Sequence, residues 1–140
     1  MVDERRGDGS GWVLVVDDDP AARDLIRVNL ELDGFRVATA RDGAECLEVV
    51  HRVRPHVVTL DAEMPRLGGA ATAEALRADP RTRGIPLALI TAGGDTRAPV
   101  DGWLAKPFDP AALVRLVRTL RSAARAPIPG DGVFSPTLAP

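Results

Sequence analysis

The stretch Pro55-His56-Val57-Val58-Thr59-Leu60-Asp61-Ala62-Glu63-Met64-Pro65 decides the fold. Residues 57–60 form a short run rich in β-branched side chains, and the run stops on an aspartate. Such a run reads as a strand buried on both faces, the mark of a parallel sheet. It delivers the Asp61 carboxylate to the carboxyl edge of that sheet. In open α/β sheets, ligands and chemistry gather at this edge.

Working outward, the same pattern recurs. Residues 12–16 predict a first strand, ending in Asp17-Asp18-Asp19-Pro20. Asp19 followed by Pro20 is a helix start, with a capping carboxylate and a proline at the first helical position. That helix runs to Asp33, places Ala22, Leu25, Ile26 and Leu32 on one face, and stops at Gly34. Residues 35–40 predict a second strand. Asp42 caps a helix running to about Val53, buried along Ala44, Leu47, Val50 and Val53. After Asp61, a loop over 64–69 leads to a helix near 70–78, which Asp79-Pro80 ends. Residues 85–90 predict a fourth strand ending on Thr91. Residues 102–105 predict a short fifth strand ending on Lys106-Pro107. Asp109-Pro110 then starts a last helix to about Ala124, with Leu113, Leu116, Val117 and Leu120 at helical spacing. Alternating strands and helices imply an α/β fold, a doubly wound parallel sheet of five strands covered on both faces.

Composition bounds the rest. The chain has 140 residues, enough for one domain with a sizeable core. The expected organisation is a disordered lead over 1–11, one folded domain over 12–125 and a flexible Pro-rich tail over 126–140. Gly7, Gly9 and Gly11 precede the first strand, so they are not a dinucleotide loop. A net charge of −2 gives no reason to expect nucleic-acid or membrane partners. No apolar run reaches membrane-spanning length and no signal-peptide core is seen, so a cytoplasmic location is expected. The single cysteine, Cys46, excludes an internal disulfide and reads as a small buried hydrophobe. Of 18 basic residues, 17 are arginine and only Lys106 is lysine. A lone ammonium at a strand end invites the question of what arginine could not do there.

Asp17, Asp18, Asp61, Thr91 and Lys106 each lie just beyond a strand, where the ends of a doubly wound sheet converge. Three close carboxylates raise one another's pKa unless a cation sits among them. Oxygen-only ligands without clustered Cys or His favour Mg²⁺. A hydroxyl and an ammonium complete a cradle for a phosphoryl group.

Four motifs carry a resemblance: Val15-Val16-Asp17-Asp18-Asp19-Pro20, Leu60-Asp61-Ala62-Glu63-Met64-Pro65, Leu89-Ile90-Thr91-Ala92 and Lys106-Pro107-Phe108. Each is weak alone, but in this order on these strands the set is specific. From about Trp12 to Ala124 the chain resembles the response-regulator receiver domain of two-component signalling. The resemblance implies the flavodoxin-like strand order 2-1-3-4-5. It implies that Asp61 is the phosphoacceptor, supplied by a sensor histidine kinase or a histidine phosphotransfer protein. Asp18 would ligate Mg²⁺ directly and Asp17 through water, with Asp61 and the backbone carbonyl of Glu63 completing the protein ligands. Thr91 and Lys106 would bind the phosphoryl group. The Lys106-Pro107 bond is expected to be cis. Trp103, three residues before Lys106, is similar to the family's switching aromatic, although a simple core tryptophan fits equally well.

Plainer readings stand beside these. Asp17-Asp18 could be a solvated turn, but both follow a buried strand at the functional edge. His51 and His56 read as surface or helix-end residues. Arg115, Arg118, Arg121 and Arg125 read as a solvated helix face, with partner docking as the sharper idea.

Two departures from the family stand out. No effector domain follows, which suggests a stand-alone receiver acting by protein contact. Residues 92–101 are ten in number, contain Gly93, Gly94 and Pro99, and lack apolar periodicity. A parallel crossover takes about a dozen residues or more, so the fourth helix is expected to be shortened or missing. The downstream target is not readable, and the resemblance also allows a weak homodimer. Two other classes remain: an aspartate-dependent phosphohydrolase with Glu63 as acid/base, and a degenerate scaffold. The absence of a substrate-capping insertion disfavours the first. The intact acidic set, Thr91 and Lys106 disfavour the second.

Overall fold

A computed structural model describes residues 11–93 and 97–125. Five strands form one parallel sheet: β1 (Trp12–Val16), β2 (Arg36–Ala40), β3 (Val57–Asp61), β4 (Leu87–Thr91) and β5 (Gly102–Ala105). Their order is β2-β1-β3-β4-β5, as expected. Four helices lie among the described residues: α1 (Pro20–Leu32), α2 (Gly43–Val53), α3 (Gly69–Ala78) and α4 (Pro110–Arg125).

The apolar strands split their side chains by parity. Val13, Val15, Val57, Ala88 and Ile90 face α1 and α4, where Ile26, Leu30, Leu113, Val117 and Leu120 meet them. Leu14, Val16, Val58, Leu60, Leu87 and Leu89 face α2 and α3, packing on Cys46, Val50, Ala73 and Leu76. Burial on both faces explains why these strands read as continuous apolar runs.

The predicted caps form. Asp19 accepts the Ala21 amide and Asp42 accepts the Glu45 amide. Glu45 in turn accepts the Arg41 amide at 2.8 Å, so its carboxylate works from inside the first turn of α2. Asp42 also pairs with Arg66 at 2.9 Å.

The expected face of α1 is corrected. Leu25 and Leu32 are 47% and 81% exposed, while Ile26 and Leu30 are buried. The helix carries two apolar stripes. Ile26 and Leu30, four residues apart, are in phase with the sheet. Leu25, Val28 and Leu32 form the second stripe, which is turned to solvent. Helical periodicity alone cannot choose between two such stripes.

Gly11, expected in a disordered lead, belongs to the folded body. It is buried, and its carbonyl accepts the Arg36 amide at 2.9 Å. Its φ of +92° suits glycine, and a Cβ there would meet His56 Nδ1 at 2.6 Å. That nitrogen accepts the Trp12 amide, so His56 anchors the start of β1 and is only half exposed. The rest of the lead, 1–10, and the tail, 126–140, lie outside the described residues.

Among the described residues of 92–101 there are bends and no helical turn. Ala98 and Val100 still pack on the α2–α3 core. Arg77 of α3 fixes the far end of this crossover. Its guanidinium donates to the carbonyls of Pro99, Arg83 and Ile85 and to the Asp101 carboxylate. Asp101 also accepts the Leu87 amide at 2.7 Å, at the start of β4.

Candidate functional site

The strand register assembles the site. Val16 lies opposite Leu60 and Leu60 opposite Leu89. The residues that follow, Asp17 and Asp61, therefore emerge side by side. Thr91 pairs with Ala105, and the Lys106 amide donates to the Thr91 carbonyl at 2.9 Å. This crevice also marks where the chain reverses its winding, with β1 and β3 adjacent at the centre of the sheet.

One oxygen from each of Asp17, Asp18 and Asp61 lies within 4.8 Å of the others. Asp17 and Asp61 are buried, and Asp18 is exposed at the mouth. Asp17 Oδ1 accepts the Asp19 amide at 2.9 Å, and the Asp17 carbonyl accepts Arg23 Nη1 at 2.9 Å. Arg23 was not singled out in the sequence. Its place one turn into α1, six residues beyond Asp17, was the available signal.

Lys106 Nζ donates to Asp61 Oδ1 at 2.5 Å. Glu63 lies two residues beyond Asp61, with Oε1 3.7 Å from Lys106 Nζ. The single proton of Thr91 Oγ1 has two acceptors in reach, the Gly93 carbonyl at 2.8 Å and, further off, Glu63 Oε2 at 3.2 Å. The Lys106-Pro107 peptide is cis, as expected.

A close backbone contact sets how Asp61 is presented. A Cβ on Gly69 would meet the Asp61 carbonyl oxygen at 2.6 Å and the Ala62 Cα at 2.9 Å. The start of α3 therefore rests flush on the end of β3, and only glycine fits.

Burial is the main influence on the acids. It pushes Asp61 up to about 6, although the Lys106 hydrogen bond opposes it and the Asp17 charge reinforces it. Burial also raises Asp17, against the Asp19 amide bond and the Lys106 charge. Burial alone would lower Lys106, but its bond to Asp61 and the surrounding carboxylates hold it above its ordinary value. Two buried carboxylates with raised pKa and one exposed neighbour form an all-oxygen set short of positive charge. Such a set fits a hard divalent cation. The site thus offers a nucleophilic carboxylate, a cation cradle, a hydroxyl and an ammonium within one crevice.

Trp103 is 51% exposed, which goes against the core-tryptophan reading. Its strand neighbour Leu104 packs into the α1–α4 core, so alternation turns Trp103 to the other face, where no described helix covers β5. His51 is exposed at the end of α2, 3.6 Å from Asp79, and takes no part in the site. Cys46 is buried, and burial pushes its thiol up to about 12.

Comparison with known proteins agrees with this geometry. Residues 13–118 match the family model of the response regulator receiver domain. The chain is 35% identical over 115 residues to the DNA-binding dual master transcriptional regulator RpaA of Synechocystis, covering 77% of this chain and 48% of that protein. It is 36% identical over 133 residues to the response regulator MprA of a Mycobacterium species, covering 90% of this chain and 56% of that protein. The chain therefore spans about half the length of these curated relatives. Among solved structures, the signal receiver domain of a histidine kinase from Syntrophus aciditrophicus superposes with a TM-score of 0.79 at 27% identity, covering 92% of this chain and 98% of that one. The receiver domain of sensor histidine kinase PA1611 from Pseudomonas aeruginosa, with magnesium coordinated in its active-site cleft, gives 0.75 at 27% identity, covering 81% and 98%. Motifs, strand order and family match converge: this chain belongs to the response regulator receiver domain family of two-component signalling.

Proposed function

We propose that the chain accepts a phosphoryl group on Asp61 from the phosphohistidine of a sensor histidine kinase or histidine phosphotransfer protein, and signals by protein contact. The observation that carries this reading is the placement of Asp61. Its carboxylate is buried at the end of β3, bonded to the sole lysine, with Thr91 beside it and two further acids within 4.8 Å.

Phosphoryl transfer needs positioning and charge neutralisation more than covalent assistance. An Asp61 oxygen attacks phosphorus, the bond to the donor nitrogen breaks, and the donor imidazole leaves with the electron pair. Asp17, Asp18, Asp61 and the Glu63 carbonyl would hold Mg²⁺, which would neutralise charge on the transferred group. Lys106 exchanges its bond with Asp61 for a phosphoryl oxygen, and Thr91 turns its hydroxyl to another. A compact ammonium serves one oxygen in this crevice, where the planar fork of arginine would be oversized. The protein thus acts as a phosphoacceptor that takes part in its own phosphorylation, and not as a turnover phosphohydrolase.

Intact-mass spectrometry after treatment with acetyl phosphate and Mg²⁺ tests the assignment. Wild type should gain one phosphoryl group and Asp61→Asn none. Equal labelling of the two would overturn it.

A further inference from the structure

We propose that the amino edge of the sheet, opposite Asp61, holds a binding site for a small organic phosphate, a phosphomonoester on a ring, with Arg54 as its principal contact. A cavity of about 560 Å³ lies there, framed by the end of α2, the link to β3 and the link from α3 to β4. It adjoins the ends of β3 and β4 remote from Asp61 and Thr91, so it shares no residue with the phosphorylation crevice.

The conformation of Arg54 carries the proposal. This residue ends α2 in the left-handed region, at φ 52° and ψ 59°. Among the described residues no other non-glycine has a positive φ. A left-handed backbone is costly for a residue with a Cβ, and glycine is the usual residue where a helix stops this way. Gly34, at φ +100° after α1, shows that easier solution in this same chain. Pro55 adds to the cost, because the residue before a proline is pushed towards extended backbone. The chain therefore keeps a strained arginine where glycine would relax the turn. Its guanidinium has no hydrogen-bond or ion-pair partner among the described residues, and it lines the cavity. Backbone strain that supports no contact within the fold is characteristic of a binding group.

The rest of the lining fits an anion with an apolar body. Its polar side chains are His51, Arg54, Arg81 and Thr82, with no carboxylate among the described lining residues. Thr82 gives its hydroxyl proton to the Leu76 carbonyl at 2.7 Å. Arg81 is held by Asp79, with Nη2 3.0 Å from Oδ2, and His51 Nε2 lies 3.6 Å from the same oxygen. Asp79 thus balances one guanidinium and leaves the charge of Arg54 in excess. The two guanidiniums and the imidazole come from the end of α2 and from the α3–β4 link, so their donors converge from different directions. A phosphomonoester presents three peripheral oxygens to such an array, whereas a carboxylate presents two in one plane. Val50, Pro55 and Ile85 complete the lining and give a ring an apolar wall.

Titration of the full chain with phenyl phosphate and with AMP, in EDTA and followed by backbone amide shifts in NMR, tests the site. Amides over 50–54 and 81–85 should shift, while those of Asp17, Asp18, Asp61 and Lys106 stay in place. Inorganic phosphate and phenol, each carrying one half of the ligand, should bind roughly tenfold more weakly. Tighter binding of AMP would assign a nucleotide and tighter binding of phenyl phosphate a smaller aryl phosphate, and either supports the site. Arg54→Gly should weaken binding roughly tenfold, the loss of one charge-assisted contact. The same variant should raise Tm by about 3 °C, because glycine takes the left-handed turn without strain. Opposite signs of the two effects separate a binding role from a structural one. Shifts confined to the Asp61 crevice, equal affinity for phenyl phosphate and bare phosphate, or no binding of either organic phosphate would overturn the proposal. So would an Arg54→Gly chain that binds as wild type does or that melts at a lower temperature.

Discussion

Replacing Asp61 with asparagine should stabilise the metal-free protein, and by an amount that grows with pH. The folded environment raises Asp61 from 3.8 to about 6, chiefly through burial. Between those values the folded state keeps a proton that the unfolded chain has lost. Stability therefore falls as pH rises through this window and levels off above it. A shift of about two units at roughly 1.4 kcal/mol each corresponds to about 3 kcal/mol. Asp61 is only 2% exposed, so solvent screening removes little of this. Asp17 lies beside it and is raised too, so the pair titrates together and the loss belongs to both. Asp61→Asn abolishes the charge while keeping an acceptor for Lys106. Urea unfolding in EDTA, followed by tryptophan fluorescence, measures both proteins between about pH 4 and pH 7.5. The stability of the variant relative to wild type should climb by about 3 kcal/mol across that range. Saturating Mg²⁺ should return most of the loss to wild type and little to the variant. A difference that stays constant with pH, or that shifts towards wild type as pH rises, would refute burial as the cause.

Other expectations rest on single contacts. The Thr59 hydroxyl is buried in β3 without a hydrogen-bond partner among the described residues, so Thr59→Val should stabilise the fold by about 1 kcal/mol in the same assay. Loss of stability would show that the hydroxyl is satisfied in solution. Arg77→Ala should cost about 2 kcal/mol, because it leaves Asp101 and the carbonyls of Pro99, Arg83 and Ile85 without their shared donor. Amides over 97–101 should then exchange faster, and unaltered exchange would count against the clamp. Lys106→Arg keeps the charge but not the point geometry. Phosphorylation of wild type is expected to change its tryptophan fluorescence, and the variant is expected to be labelled on Asp61 without that change. A full fluorescence response would contradict the reading of the lone lysine.

Much of this protein is legible in its sequence because parallel α/β chains are locally explicit. A strand buried on both faces must be apolar throughout, so 57–60 and 12–16 announce themselves and the acids that end them. Asp19-Pro20 and Asp42 announce helix starts through capping chemistry that needs no distant partner. The short span of 92–101 foretells the bends found among its described residues, since a parallel crossover by a full helix takes about a dozen residues or more. These local and counting signals, with the motif order, placed Asp17, Asp18, Asp61, Thr91 and Lys106 at one edge.

What the tertiary structure decided is which of two locally equal options was realised. Both apolar stripes of α1 have helical spacing, and only the packing angle on the sheet buries Ile26 and Leu30 and exposes Leu25 and Leu32. Trp103 fits core and surface alike until the side of β5 that no described helix covers leaves it half exposed. Arg77 gripping residues 22 and 24 positions away has no local signal, because a guanidinium on a helix reads as solvated until its acceptors fold beside it. The same holds for Glu63. Its sequence position two residues beyond Asp61 says nothing about its carboxylate lying between Thr91 and Lys106. That juxtaposition exists only once β3, β4 and β5 are in register, since it is made by three strand ends that the chain itself keeps far apart.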